Sequence, residues 1–294
     1  MAIPLSASAV LAALRAEGVT VVEVGNWRTH NRNAKGPWGP VNGSVVHHTV
    51  TKGTANTVRI VRDGYAELPG PLCHGMIAKD GRVHLVGWGR TNHAGGGDPR
   101  VLDQVVAESY GARPSPPAKG NANGVDGNAR FYGWECENLG DGKDPWPAAQ
   151  YDAIVRVQAA LCRAHGWSAK SAIGHREWSS DKVDPRGIDM ARLRADVAER
   201  LKHPASWSPS STAPTAPSKE DSMALTDADV RRVADAVVDR ILNADRFDAP
   251  EDAADYNPDP KSPEHYWSGR TLFRDLVTRV RRMDKTLTAL TKEK

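Results

Sequence analysis

Long hydrophobic runs are missing from this sequence of 294 residues. None approaches the roughly 20 consecutive apolar residues that a helix needs to span a bilayer. The amino-terminal stretch, residues 1–18, lacks the basic start of a signal peptide, and Ser, Arg and Glu interrupt its apolar residues. We therefore expect no membrane insertion and no export signal, and hence a protein that is made in the cytoplasm.

Cysteine is scarce, and neither sign of charge dominates. The three cysteines, Cys73, Cys136 and Cys162, are odd in number and form no CxxC pair, which excludes a disulfide framework and a cysteine zinc knuckle. We expect buried free thiols. The 39 basic and 36 acidic residues give a net charge of only +3, so the composition does not favour a nucleic-acid partner.

One change in composition divides the chain. Residues 203–222 are rich in Pro, Ser, Thr and Ala, which cannot build a core and are typical of an extended linker. The sequence therefore predicts an amino-terminal domain at 1–202 and a smaller carboxy-terminal domain at 223–294.

The carboxy-terminal domain has helical patterning. Apolar residues recur at spacings of three and four within 227–243 and 270–290, and the second stretch follows a heptad period. The pattern predicts a small all-α segment that pairs with another chain, as in a homo-oligomer. A Lys-Glu pair shortly before Met223 also suggests a second translation start, whose product would associate with the full chain.

The amino-terminal domain mixes strand and helix patterns without strict alternation. Buried strands are predicted at 43–50, 131–138 and 172–175, a hairpin at 76–86, and helices at 7–16, 147–165 and 188–201. The fold class is therefore α/β, with a mixed central β-sheet that is flanked by helices.

Two histidine-bearing segments and one aspartate could meet around a metal. His47 and His48 lie on a predicted strand, where their side chains point to opposite faces, and the period alone does not choose between them. His175 follows another short strand, and Asp184 lies nine residues later, a distance that a loop can fold back across. Imidazole and carboxylate groups are zinc ligands, and a catalytic site keeps one position open for water.

These segments carry a family resemblance. VVHHTVT, NHAGG, GWECE and GHREWSSDKVDP resemble, in order and spacing over about residues 40–200, the type-2 N-acetylmuramoyl-L-alanine amidase family. That family includes amidase-type phage lysozymes and peptidoglycan recognition proteins. The resemblance implies their fold and a Zn²⁺ ion held by His47, His175 and Asp184. It also implies bacterial peptidoglycan as substrate, cut between N-acetylmuramic acid and L-alanine.

The same resemblance implies helpers for the reaction. Glu135 corresponds to a catalytic base, Lys182 faces the developing oxyanion, and His93 lies beside the substrate. Glu137, two residues from Glu135 on the same strand face, competes for the base role, with a surface ion pair as its ordinary alternative. The sequence departs from the phage-lysozyme branch at Cys73, where that branch has a catalytic Tyr, so the arrangement with a glutamate is favoured.

Three functions remain open at this stage. The first is a phage endolysin that lyses the bacterial host after release through a holin-made lesion, with the carboxy-terminal segment binding the wall or forming oligomers. The second is a non-catalytic peptidoglycan-binding module, and the third is a host amidase of wall recycling or remodelling. Trp88, Trp134 and Trp178 flank the motifs and either line a sugar groove or pack in the core.

Overall fold

The structure is a computed structural model that describes residues 2–208 and two short strands, Phe247–Asp248 and Tyr266–Trp267. Contacts between Cα atoms divide the chain into Met1–Pro214 and Thr215–Lys294. Among the described residues, no helix is long and apolar enough to cross a membrane.

The helices of the first unit begin and end where capping residues dictate. Ser6, Asp98 and Asp189 accept backbone N–H groups at three helix starts, and Gly166 ends the longest helix in the left-handed conformation (φ +67°). The helices are α1 (Ala7–Ala16), α2 (Thr54–Asp63), α3 (Pro99–Val106), α4 (Ala148–His165), α5 (His175–Trp178) and α6 (Met190–Leu201).

The strands are short, and six of the twelve described belong to one sheet. They are β1 (Val21–Glu23), β2 (Gly43–His48), β3 (Gly64–Tyr65), β4 (Leu68–Pro69), β5 (Gly75–Ile77), β6 (Val83–Leu85), β7 (Gly96–Gly97), β8 (Val125–Asp126), β9 (Phe131–Cys136), β10 (Ala172–Gly174), β11 (Phe247–Asp248) and β12 (Tyr266–Trp267).

A six-stranded sheet organises the first unit, in the order β1-β6-β5-β9-β2-β10. Only β5 and β6 pair antiparallel; the other four pairs are parallel. The long central pair of β2 and β9 places His47 beside Glu135, and the pair of β2 and β10 places Val46 beside Gly174. Because parallel strands end at a common edge, β2, β9 and β10 bring their last residues together.

Apolar side chains cover both faces of this sheet. On one face, Val46, Tyr132 and Trp134 pack with α1, α4 and α6 in the largest core cluster. On the other face, Val45, Phe131 and Ile173 pack with α3 and α5, and Met76 packs in a separate cluster with α2. The polar site lies on this second face.

The predicted α/β class is confirmed, with some differences in detail. The predicted helices match α1, α4 and α6 within two residues, and the predicted hairpin is β5–β6, which turns at Gly81 (φ +85°). The helices α2 and α3 were not predicted. Each has only two buried apolar residues, so its periodic signal is short.

The carboxy-terminal predictions fall largely outside the described residues. The predicted helices at 227–243 and 270–290 and the start at Met223 lie there, so they stay predictions. The strands β11 and β12 pair antiparallel between the two predicted helices, a departure from an all-α segment.

Candidate functional site

Three side chains converge at the carboxyl edge of the central strands. His47 is next to last in β2, His175 directly follows β10, and Asp184 lies on the loop after α5. The backbone N–H of Arg176 donates to the carbonyl of Asp184 at 2.7 Å, which folds this loop back onto the strand end. All three side chains are buried.

The three potential ligand atoms form a small triangle. The Nδ1 atoms of His47 and His175 are 2.9 Å apart, and Asp184 Oδ2 lies 3.1 Å from the first and 3.0 Å from the second. The strand period left open whether His47 or His48 faces the site. The geometry shows that His47 does, because its Nδ1 atom forms one corner of the triangle.

The partners of the outer ring nitrogens fix the tautomers. His175 Nε2 faces the carbonyl oxygen of Ala94 at 3.2 Å and must donate to it, which leaves a lone pair on Nδ1. His93 Nε2 likewise donates to the carbonyl of Phe131 at 3.2 Å, so its Nδ1 accepts from His47 Nε2 at 3.0 Å. In neutral imidazoles, both Nδ1 atoms of the triangle therefore carry lone pairs.

The electrostatics agree with neutral rings and an ionised carboxylate. Burial lowers the pKa of His47 to about 4, and it holds the pKa of His93 well below its usual value. Burial acts to raise the pKa of Asp184, but the influence of the neighbouring His175 and His47 outweighs it and the pKa is lowered. Two nitrogen lone pairs and a carboxylate oxygen that face one another repel unless a cation lies among them.

This donor set fits zinc. Two imidazoles, one carboxylate and an open position form a catalytic zinc set, whose tetrahedral ligand atoms lie about 3.3 Å apart at bond lengths of ~2.0–2.1 Å. The observed separations of 2.9–3.1 Å come close to that spacing.

A second group of potential ligands, His47, Cys73 and His93, fits less well. Its two imidazoles already share a hydrogen bond at 3.0 Å, and burial raises the pKa of the Cys73 thiol well above its usual value. A metal here would need both protons removed. Cys73, Cys136 and Cys162 are all free and buried, as predicted.

Glu135 lies on the strand beside His47, with an unusual environment for a carboxylate. Its Oε2 atom is buried without a hydrogen-bond partner among the described residues. Burial, and then the negative charge of Asp184, raise its pKa to about 8, and Lys182 opposes this rise. A buried carboxylate with a free oxygen beside a cation site can accept and return a proton.

Lys182 is partly buried on the loop that carries Asp184. Its backbone N–H donates to Ser179 at 3.2 Å. Its positive charge lowers the pKa values of both His47 and Glu135, so the ammonium group acts on the same small region as the triangle.

Glu137, the alternative to Glu135 as base, and His48, the alternative to His47 as ligand, have other partners. Glu137 accepts from Gly53 N at 2.7 Å and from Thr54 Oγ1 at 2.8 Å, and so caps the start of α2. His48 points to the opposite face, where its Nδ1 accepts from Arg186 N at 3.1 Å and supports the loop after Asp184.

His93 and the three tryptophans that flank the motifs are all buried. Both ring nitrogens of His93 are used inside the protein, behind His47, so a substrate contact by His93 stays a prediction that its geometry does not favour. Trp88, Trp134 and Trp178 are buried in the core, and the sugar-groove interpretation of them is wrong.

The sequence analysis missed the role of Gly133. A Cβ atom at this position would lie 2.3 Å from Nδ1 of His93, so only glycine leaves room for that ring. The available signal was a lone glycine in a strand pattern, which often marks close approach of another group.

Comparisons with known proteins show the family to which the chain belongs. The family model described as N-acetylmuramoyl-L-alanine amidase matches residues 37–187, just over half of the chain, and this range includes every residue of the triangle. A search of curated proteins found no match.

Solved structures give weaker likenesses. The N-acetylmuramoyl-L-alanine amidase LysC from Clostridium intestinale URNW is 18% identical, covers 60% of this chain and 97% of its own, and has a TM-score of 0.40. The catalytic domain of XlyA is 18% identical, with 61% and 99% covered and a TM-score of 0.40. AmpDh3 from Pseudomonas aeruginosa, solved with anhydromuramic pentapeptide, is 20% identical, with 54% and 61% covered and a TM-score of 0.38. TM-scores this low carry no argument about function.

Proposed function

The chain belongs to the N-acetylmuramoyl-L-alanine amidase family, and we propose that it is a zinc-dependent member that hydrolyses the amide between N-acetylmuramic acid and L-alanine in peptidoglycan. One observation carries the proposal. Two imidazole lone pairs and a carboxylate oxygen converge within 3.1 Å of one another at a strand edge.

His47 Nδ1, His175 Nδ1 and Asp184 Oδ2 would hold the metal. When bound, zinc lowers the pKa of a water molecule toward ~7 and polarises a carbonyl group. The protein's own part begins with orientation: Ala94 and His93 hold the outer nitrogens of the two imidazoles, which keeps both Nδ1 atoms aimed at one point.

Glu135 is the proposed general base. Its unpartnered Oε2 can take a proton from the attacking water and deliver it to the amine that leaves. Its pKa of about 8 describes the protein without a cation, and a positive charge at the triangle would lower it and favour the carboxylate form at neutral pH. The cap that Glu137 makes on α2 supports this choice between the two glutamates.

Lys182 is the proposed oxyanion partner. Negative charge develops on the amide oxygen of the substrate during hydrolysis, and a fixed cation stabilises it. Removal of one such donor typically costs about 10²–10³ in rate. The influence of Lys182 on the pKa values of Glu135 and His47 supports its location at the reacting centre.

The biological role that we propose is a phage endolysin. The Pro- and Ser-rich segment 203–222 before the predicted carboxy-terminal domain supports this role. In that role the protein is made in the host cytoplasm and reaches the wall after a holin opens the membrane. The binding-module alternative is disfavoured because the third ligand, Asp184, is present.

The carboxy-terminal segment stays a prediction. If Met223 is a second start, expression of the whole gene should yield an additional product of about 8 kDa, in proportion to the 31.8 kDa chain, which the variant Met223→Leu lacks. Wild-type expression without that product contradicts the idea, and gel filtration of both preparations measures whether the two products associate.

Digestion of purified peptidoglycan tests the activity. The wild-type protein should release free L-alanine amino termini, a chelator should stop this release, and added Zn²⁺ should restore it. Mass analysis distinguishes this from glycosidase activity, which would create new reducing sugars. Binding without any release supports the non-catalytic module instead.

The lytic role needs a separate test in cells. Cytoplasmic expression in a susceptible host should cause lysis only when the inner membrane is permeabilised by a holin or a chemical agent. Lysis without permeabilisation, or none with it, contradicts the endolysin proposal while leaving the amidase activity intact.

A further inference from the structure

A single amide oxygen organises the segment behind both metal-binding histidines. Asn128 Oδ1 accepts the backbone N–H groups of three consecutive residues, His93 at 2.8 Å, Ala94 at 2.8 Å and Gly95 at 3.4 Å. Asn128 is buried and lies just before β9. Three contacts of this kind to one oxygen fix both the position and the direction of the segment.

This segment provides the partner of each imidazole. The ring of His93 accepts from His47 Nε2 at 3.0 Å, and the carbonyl of Ala94 accepts from His175 Nε2 at 3.2 Å. The two contacts come from adjacent residues and reach two different ligands. Movement of the segment would therefore turn both imidazoles at once.

The backbone of the segment is shaped to receive an oxygen. Gly95 adopts the left-handed conformation (φ +55°), and consecutive N–H groups that converge next to such a residue form a concave site for negative charge. A Cβ at Gly95 would lie 2.1 Å from Asn121 Oδ1, so the side chain of Asn121 packs closely against the outer side of this turn. Trp178 Nε1 donates to the same Ala94 carbonyl at 3.0 Å and supports its direction.

We propose that Asn128 is a positioning residue for the metal site, which acts through His93 and Ala94 to aim the Nδ1 atoms of His47 and His175 at one ion. This inference rests on the proposed zinc-dependent function. Loss of a group that orients a metal ligand typically weakens metal affinity 10–100-fold. Because Asn128 acts through intervening residues, about tenfold is expected for its removal.

Three variants separate this role from general stabilisation. Asn128→Leu keeps the approximate size and removes the acceptor, whereas Asn128→Asp keeps an acceptor oxygen at the same place. Asn42→Leu is the matched control, because Asn42 is also buried but lies before the start of β2, at the end of the strand away from His47. The affinity for Zn²⁺ is measured by competition with a chelator, and the visible spectrum of the Co²⁺-loaded protein reports ligand geometry.

For Asn128→Leu we expect about tenfold weaker Zn²⁺ binding and an altered Co²⁺ spectrum. Asn128→Asp should give near wild-type values for both. Asn42→Leu should lower the Tm and leave the metal affinity unchanged. If the Leu variant does not fold, Asn128→Ser takes its place with the same expectations, since its shorter side chain withdraws the oxygen.

Other results would overturn the inference. Unchanged affinity and spectrum in Asn128→Leu would do so, as would equal weakening in Asn42→Leu or loss of affinity in Asn128→Asp. A wild-type protein that binds no Zn²⁺ overturns the proposed function itself, and this outcome is distinct because it needs no variant.

Discussion

The two faces of the central sheet have different roles, although the same strands form both. On the face toward α1, α4 and α6, strand side chains join one large apolar cluster that includes Val46, Trp134 and Leu161. On the opposite face the apolar side chains fall into two smaller clusters. His47 and Glu135 lie on this second face, with a carboxylate oxygen that lacks a partner among the described residues.

The comparison shows where stability and chemistry are separated. Adjacent residues of one strand, such as Val46 and His47, contribute to opposite tasks because side chains alternate between faces. The first face can therefore carry most of the packing energy, while the second keeps polar groups whose burial costs stability unless they are paired or bind an ion. Substitutions on the first face should consequently lower the free energy of unfolding, whereas those on the second face should impair metal binding or catalysis.

The largest effect is expected on the site face from Asp184→Ala. This change removes one of the three proposed ligands, so Zn²⁺ should be lost and amidase activity abolished together. The matched control is Asp181→Ala on the same loop, where the exposed carboxylate accepts a hydrogen bond from Asn121 N at 2.7 Å. Zinc content after gel filtration and the rate of peptidoglycan digestion are measured. An active, zinc-loaded Asp184→Ala protein would contradict the site.

Next in size, Glu135→Gln should retain zinc and lose about 10²–10⁴ in kcat, because the proton acceptor is removed while the ligands stay. Glu137→Gln should instead keep its kcat and lose about 1 kcal/mol of unfolding free energy through a weaker cap on α2. Steady-state kinetics and denaturant unfolding distinguish the two. The opposite pattern would transfer the base role to Glu137.

The packed face is tested by Leu161→Ala. Leu161 is fully buried in α4 against the large cluster, and the cavity should lower the free energy of unfolding by about 2–5 kcal/mol. Zinc affinity per folded molecule should stay at the wild-type value. Chelator competition and urea unfolding on the same preparation check this, and weakened metal binding would show that the two faces are coupled.

A smaller effect concerns pH. Burial lowers the pKa of His74 from 6.5 to about 4, and its Nδ1 accepts from Gly133 N at 2.9 Å. As pH falls, His74 therefore binds a proton in the unfolded chain before it does so in the folded protein. This difference lowers the free energy of unfolding between about pH 6.5 and pH 4, by at most about 3 kcal/mol. His74→Asn should flatten this decline in urea-unfolding curves of chelator-treated protein. An unchanged slope would contradict it.

Much of this arrangement could be predicted from the sequence, and the remainder shows what sequence patterns cannot encode. The strands and long helices follow from apolar periodicity, and the ligand set of His47, His175 and Asp184 follows from the family resemblance. The strand period alone did not choose between His47 and His48, and the register with β9, which places Glu135 beside His47, agrees with the choice that the resemblance implied. Glu137 could be set apart only when its contact with the start of α2 was visible.

The resemblance implies that His93 lies beside the substrate, and this role stays a prediction. A sequence motif does not say on which side of a neighbouring histidine the ring lies. The structure places it behind His47, in space that Gly133 leaves free. The function of Asn128 was not predicted either, because an asparagine in a loop has no distinctive spacing, and its three backbone contacts exist only in the folded protein.

X-ray absorption spectroscopy at the zinc edge of the purified protein shows directly which atoms bind the metal. We expect one zinc per chain with only nitrogen and oxygen ligands at about 2.0–2.1 Å, which Asp184→Ala abolishes. A sulfur contribution at about 2.3 Å would place the metal at Cys73 instead, and it would contradict the site formed by His47, His175 and Asp184.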